Sequence, residues 1–102
     1  MLYRYEVRPS ASRSVWRFYR NVAWKYRHTF DTEDLVRNAQ KAIRNMGRIE
    51  QSLLRRRPTL RRWQEHGWHM AKAGKWFYAY SVTDETVIIE DACHQQNMHE
   101  AD

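Results

Sequence analysis

Residues 74–97, GKWFYAYSVTDETVIIEDACHQQN, are the part of this chain with the fewest ways to fold. Apolar and polar side chains alternate through two runs, separated by a short polar stretch at Asp84-Glu85. A period of two marks a half-buried strand, and two such runs joined by a tight turn make a hairpin. Val87 and Ile89 then face one way, and Ile88 and Glu90 the other. The stretch before it, beginning WHMAKA, supplies another strand that turns at Ala73-Gly74. Three consecutive strands therefore form a meander.

Upstream the pattern changes. LYRYEV, residues 2–7, alternates as a strand, with Tyr3, Tyr5 and Val7 on one side, and Pro9 ends it because proline cannot donate to a ladder. Val15, Phe18, Tyr19, Val22 and Tyr26 then recur at helical spacing, with Ser10 or Ser12 available as the cap. Arg13, Arg17, Arg20, Lys25 and Arg27 lie mostly off that stripe, and Trp16 and Trp24 fall within about 80° of each other. A second helix is expected over 31–57, capped by Asp31 or Thr32. Leu35, Ala39, Ala42, Ile43, Met46, Leu53 and Leu54 form its inner face, with Glu50 the polar interruption. Gly47 loosens its last turns, and Pro58 stops it. A basic connector, RRRPTLRRWQEHG, follows with five arginines. The order is strand, helix, helix and three strands. That is an α+β fold, β-α-α-β-β-β, with a small antiparallel-type sheet, a two-helix hairpin packed on one face, and the other face open to a ligand.

At 102 residues the chain suits a single domain, with residues 98–102 a frayed polar tail. Its one cysteine, Cys93, excludes an intramolecular disulfide and reads as a small buried hydrophobe. No apolar run reaches membrane length and no signal-peptide core opens the chain, so a cytoplasmic location is expected. Charge is unevenly placed. Residues 1–82 hold all 18 Lys and Arg against six acids, whereas residues 83–102 hold six acids and no Lys or Arg. A body at +12 attracts polyanions by neutralising phosphates and releasing counterions.

The element order, the size and the basic charge together resemble the RelE/ParE toxin superfamily of bacterial toxin–antitoxin systems. The most specific segment is KWFYAYSVTDETVIIEDACHQQN, which is similar to the last two strands of that family. The resemblance spans residues 2–97. It implies either of two activities: metal-free mRNA cleavage at the ribosome, or a ParE-like non-enzymatic block of DNA gyrase. A non-toxic RNA-binding module is the third reading. The partners implied are an acidic antitoxin protein and RNA or the ribosome, with no membrane, no metal and no cofactor.

Metal-free cleavage needs a base for the 2′-OH proton, cations for the charged transition state and an acid for the leaving oxygen. On the resemblance, His94, Tyr80, Lys75 and Arg61 are the candidate catalytic residues. His94 would act as the base, and Arg61 or Lys75 would hold the phosphate. Arg55, Arg57, Arg61, Arg62, Lys72 and Trp76 are the candidate nucleic-acid contacts, because arginine grips phosphate with a planar fork and tryptophan stacks on bases. Trp76 is the tryptophan expected at the surface if Phe77 points inward. Two departures stand out. Phe77 falls where an RelE-like nuclease usually carries a phosphate-binding Arg, and Gln95 and Gln96 replace aromatic and His positions. Loss of one such group commonly costs about two to four orders of magnitude in rate. The polar cluster His94-Gln95-Gln96-Asn97 is expected at the sheet's edge, beside its open face.

Overall fold

A computed structural model describes residues 4–29, 31–49 and 57–98, and in it the hairpin is β3 (Trp76–Thr83) and β4 (Thr86–His94). Before it come β1 (Arg4–Val7), α1 (Pro9–Lys25), α2 (Thr32–Asn45), a short α3 (Arg61–Glu65) and β2 (His69–Ala73). Asp84, at φ 54°, makes the β3–β4 turn, and Gly74, at φ 63°, makes the β2–β3 turn. Among the described residues no helix is long and apolar enough to cross a membrane.

The fold class is α+β, but the sheet is mixed. Its order is β1-β4-β3-β2, and β1 runs parallel to β4 while the other pairings are antiparallel. The expected antiparallel sheet is corrected at that edge. A strand's own alternation says nothing about its direction; here direction is set by where the two long helices return the chain.

Two boundaries also differ from the sequence reading. Pro9 opens α1 as well as closing β1: its missing N–H and fixed φ suit a first helical position. The α1 start has no side-chain cap, because Ser10 instead donates to the carbonyl of Glu90 at 2.7 Å. α2 is capped as expected, with the Asp31 carboxylate accepting from the Glu33 N–H at 3.0 Å. It ends at Asn45, however, in a 3-10 turn over Met46–Arg48, and Ile49 is already extended. Glycine and a tightened turn stop the helix well before Pro58. Glu50, Leu53, Leu54 and Arg55 lie outside the described residues, as do Tyr3 and residues 99–102 of the expected tail.

The larger core lies between one sheet face and the two long helices. Ala11 and Val15 of α1 and Ala39 and Ala42 of α2 meet Ala71, Tyr78, Tyr80, Val87, Ile89 and Ala92 of the sheet. Tyr78 donates to the Ala42 carbonyl at 2.8 Å, and burial pushes its phenol above the ordinary range, with Tyr19 adding to the shift. The other sheet face is not open along its whole length. Leu60 and Trp63 pack on Met70, Ala79 and Cys93 there, with Phe77 beside them. The basic connector thus includes the short helix α3, and its Trp63 is fully buried. An apolar i, i+3 pair inside an arginine-rich stretch is enough to seal a sheet face, since burying one large side chain is worth about 1.5–3 kcal/mol.

Candidate functional site

The site begins with one extra residue in β4. Ala79 pairs with Asp91 and Tyr80 pairs with Ile89, so Glu90 has no partner of its own across the ladder. This is a β-bulge, which shifts the alternation of everything after it. Val87 and Ile89 face the long helices. Without the bulge, position 93 would follow them and His94 would face away. With it, Ala92 and His94 turn to the helix side and Cys93 to the other. The expectation that His94 sits beside the open face is therefore corrected by a local irregularity that apolar patterning does not register.

The bulge also aims two carboxylates off the sheet. Asp91 Oδ1 accepts from the Ser14 hydroxyl and from the Ala92 N–H, both at 2.8 Å. Its Oδ2 accepts from Trp63 Nε1 at 2.8 Å and from Arg62 Nε at 3.4 Å. One side chain thereby ties α1 and α3 to the edge of β4 that β1 is too short to cover. Glu90 accepts from Arg8 at 3.2 Å and from Ser81 at 2.8 Å. Two of the six C-terminal acids therefore serve internal pairing.

Beside this tie lies a cleft of about 300 Å³ between α1, α3 and the end of β4, lined by Ser14, Arg17, Phe18, Asn21, Arg62, Trp76, His94 and Asn97. A second hollow of about 290 Å³ shares Ser14, Arg17 and Arg62 with it and adds Arg13, His66, Trp68 and Asp91. The helices place these groups simply. Arg13 and Arg17 are one helical turn apart on α1, and Arg62 reaches in from α3. All three are exposed. Residues 9–25 contain four cations and no acid, so nothing within α1 neutralises them.

His94 is 7% exposed, stacked on Phe18 with ring centroids 4.1 Å apart and set edge-on to Trp76 at 5.3 Å. Its Nδ1 accepts from the Gln96 N–H at 3.2 Å. Burial holds its pKa below the usual histidine value, and the charge of Lys75 lowers it further. The neutral ring with Nδ1 as acceptor carries its proton on Nε2. His94 therefore presents a donor to its surroundings.

The other expected residues are dispersed. Arg62 and Trp76 share the cleft with His94, but Trp76 is only 4% exposed and donates from Nε1 to the Tyr19 hydroxyl at 3.2 Å. The expectation of an exposed Trp76 is corrected: it faces the helices, and Phe77 takes the opposite side. Tyr80 is 1% exposed in the main core, against His69. Lys75 lies in the β2–β3 turn, facing a groove over α1 and α2. Lys72 is on the second sheet face with its ammonium 5.5 Å from the Phe77 ring centroid. This part of the face therefore has a phenyl ring under a lysine. Arg57 borders a separate hollow with Gln64, Trp68 and His69, and Arg61 is the exposed first residue of α3. Arg13, Arg17, Asn21 and Asn97 were not among the expected contacts. The signal for the two arginines is the acid-free run of α1, and Asn21 follows Arg17 by one turn of the same helix; for Asn97 sequence offers none, since the bulge and the turn at Gln95–Asn97 bring it in. Compared with known proteins, the chain matches no family model, no curated protein and no solved structure.

Proposed function

We propose that this protein binds RNA through its backbone phosphates and acts by occupying that RNA rather than by cutting it. The observation that carries the reading is the donor chemistry of the α1–α3 cleft. Arg17, Arg62 and His94, whose ring carries its proton on Nε2, line one small space. The nearby carboxylate of Asp91 is already shared among four donors. Guanidinium groups beside an imidazole N–H suit a phosphodiester. Cleavage needs an acceptor for the 2′-OH proton. The acceptor nitrogen of His94 is turned to Gln96, and the Tyr80 hydroxyl belongs to the core. On the RelE/ParE resemblance the RNA belongs to the translation machinery, the neutralising partner is an acidic antitoxin, and DNA gyrase is the alternative target. Support for the resemblance is the strand, two helices and three-strand order, to which α3 is an addition.

The test is RNA binding across a salt series, with labelled RNA kept in EDTA to follow its integrity. Wild-type protein is expected to bind with a linear log–log salt dependence and to leave the RNA intact. Arg17→Ala with Arg62→Ala should reduce the magnitude of that slope by roughly one to two. An unchanged slope removes the cleft from the interface. Cutting by wild type that is lost in His94→Ala overturns the non-cleaving reading. Inhibition of supercoiling without RNA affinity moves the target to gyrase.

A further inference from the structure

On the side of α1 that faces away from the core, two tryptophans stand in water. Trp16 is 41% exposed and Trp24 is 72% exposed. At 100° per residue, Arg13, Trp16, Arg20 and Trp24 fall within about 80° of one another, roughly opposite the buried Ala11 and Val15. The order along this stripe is cation, aromatic, cation, aromatic. Arg27 continues it beyond the helix end: its guanidinium lies 4.7 Å from the Trp24 ring centroid while it donates to the Trp24 carbonyl at 3.0 Å. One face of that indole is thus covered by a cation, and its high exposure leaves the other accessible. The two tryptophans are about 12 Å apart along the axis. Arg13 and Arg17, next to Trp16, already line the two hollows at the α3 side.

From this arrangement we infer that the solvent face of α1 is a stacking platform for unpaired bases, so that the nucleic acid it carries to the cleft is single-stranded. The inference rests on the phosphate-binding reading of the cleft and names the class of nucleic acid. Aromatic faces stack on any base, and interleaved arginines follow the backbone between them. In a duplex the bases stack on each other and offer no free face. A protein partner is the competing occupant, since Trp and Arg are also enriched at protein interfaces. The helix holds four cations without one acid, which suits a phosphate backbone; an acidic antitoxin would share that attraction but not the need for bases, so dependence on bases separates the two.

The measurement uses uncleavable probes: a 2′-O-methyl dodecanucleotide, its duplex with the complement, and an abasic oligomer with the same number of phosphates. Wild-type protein should bind the single strand more tightly than the duplex. Trp16→Ala with Trp24→Ala should weaken single-strand binding at least about tenfold and leave abasic binding unchanged. Trp16→Tyr with Trp24→Tyr should recover most of the loss. Both positions are solvated, and an unchanged thermal midpoint would confirm that the fold is intact. Equal single-strand affinity for wild type and the alanine pair overturns the inference, as a protein-docking helix would give. An equal loss on the abasic oligomer overturns it too. Arg17→Ala with Arg62→Ala should weaken the base-bearing and abasic strands alike, so a failure of the cleft is seen separately from a failure of the platform.

Discussion

The imidazole of His94 lies against Phe18 with its Nδ1 committed to the Gln96 N–H. Burial first, and the Lys75 charge second, disfavour its protonated form. In the unfolded chain this group takes up a proton near pH 6.5; in the fold it does so only at lower pH. Between those two values the unfolded chain binds a proton that the folded one does not, so stability rises with pH. The contribution is complete above about pH 6.5 and is lost on acidification toward the folded value. The urea midpoint should therefore fall between about pH 7 and 5, and His94→Gln should flatten that part of the profile. A slope that persists in the variant assigns the effect to another group. That a histidine ends the last strand was readable directly. Which side it faces was not, because the bulge at Glu90 reverses the parity.

Among the elements, α3 shows how a short helix is held. It spans five residues and has no side-chain cap, too little to persist by itself. Its hold comes from Trp63, buried against Met70, Ala79 and Cys93, and from the indole N–H on Asp91. Asp91→Ala leaves that buried donor without its acceptor, whereas the Ser14 hydroxyl keeps the Ser10 carbonyl at 3.0 Å. The expected cost is about 2–3 kcal/mol, measured as a lower urea midpoint. Amide exchange should rise first in residues 60–68, the segment the carboxylate ties down. Uniform exchange across the sheet would mean that α3 is not a separate unit. The two long helices and the hairpin were legible because apolar residues recur in them at one steady period. α3 was not, because its few apolar positions are too short a sample to show a period among five arginines.

Over the whole molecule, the positive charge occupies more than one surface. Arg13, Arg17 and Arg62 gather at the α1–α3 groove, whereas Arg37, Lys41 and Arg44 are exposed along α2, where Arg37 pairs with Asp34. Lys72 lies on the second sheet face beside Phe77. Among the described residues the exposed cations therefore gather on the helices rather than on the sheet. Charge far from the groove acts through the long-range field, which a Debye length near 10 Å screens at 0.1 M salt. Replacing Arg37, Lys41 and Arg44 together by Gln should slow RNA association at low salt by about two- to tenfold. At 0.15 M salt the dissociation constant should move by less than about threefold. Stopped-flow rates and equilibrium titrations separate the two. A large affinity loss at the higher salt would place the α2 face in the interface.

Composition and periodicity by themselves determined that this chain is a basic α+β protein with two amphipathic helices and a closing β-meander. Those properties depend on neighbours three, four or two residues apart, and the order of side chains records them directly. The direction of β1, the second-face seal by Trp63, the side on which His94 lands and the meeting of Arg17 with Arg62 were decided only in three dimensions. Each depends on a single irregularity or on contacts between residues distant in the chain, where pairing geometry and burial, not local pattern, select the outcome.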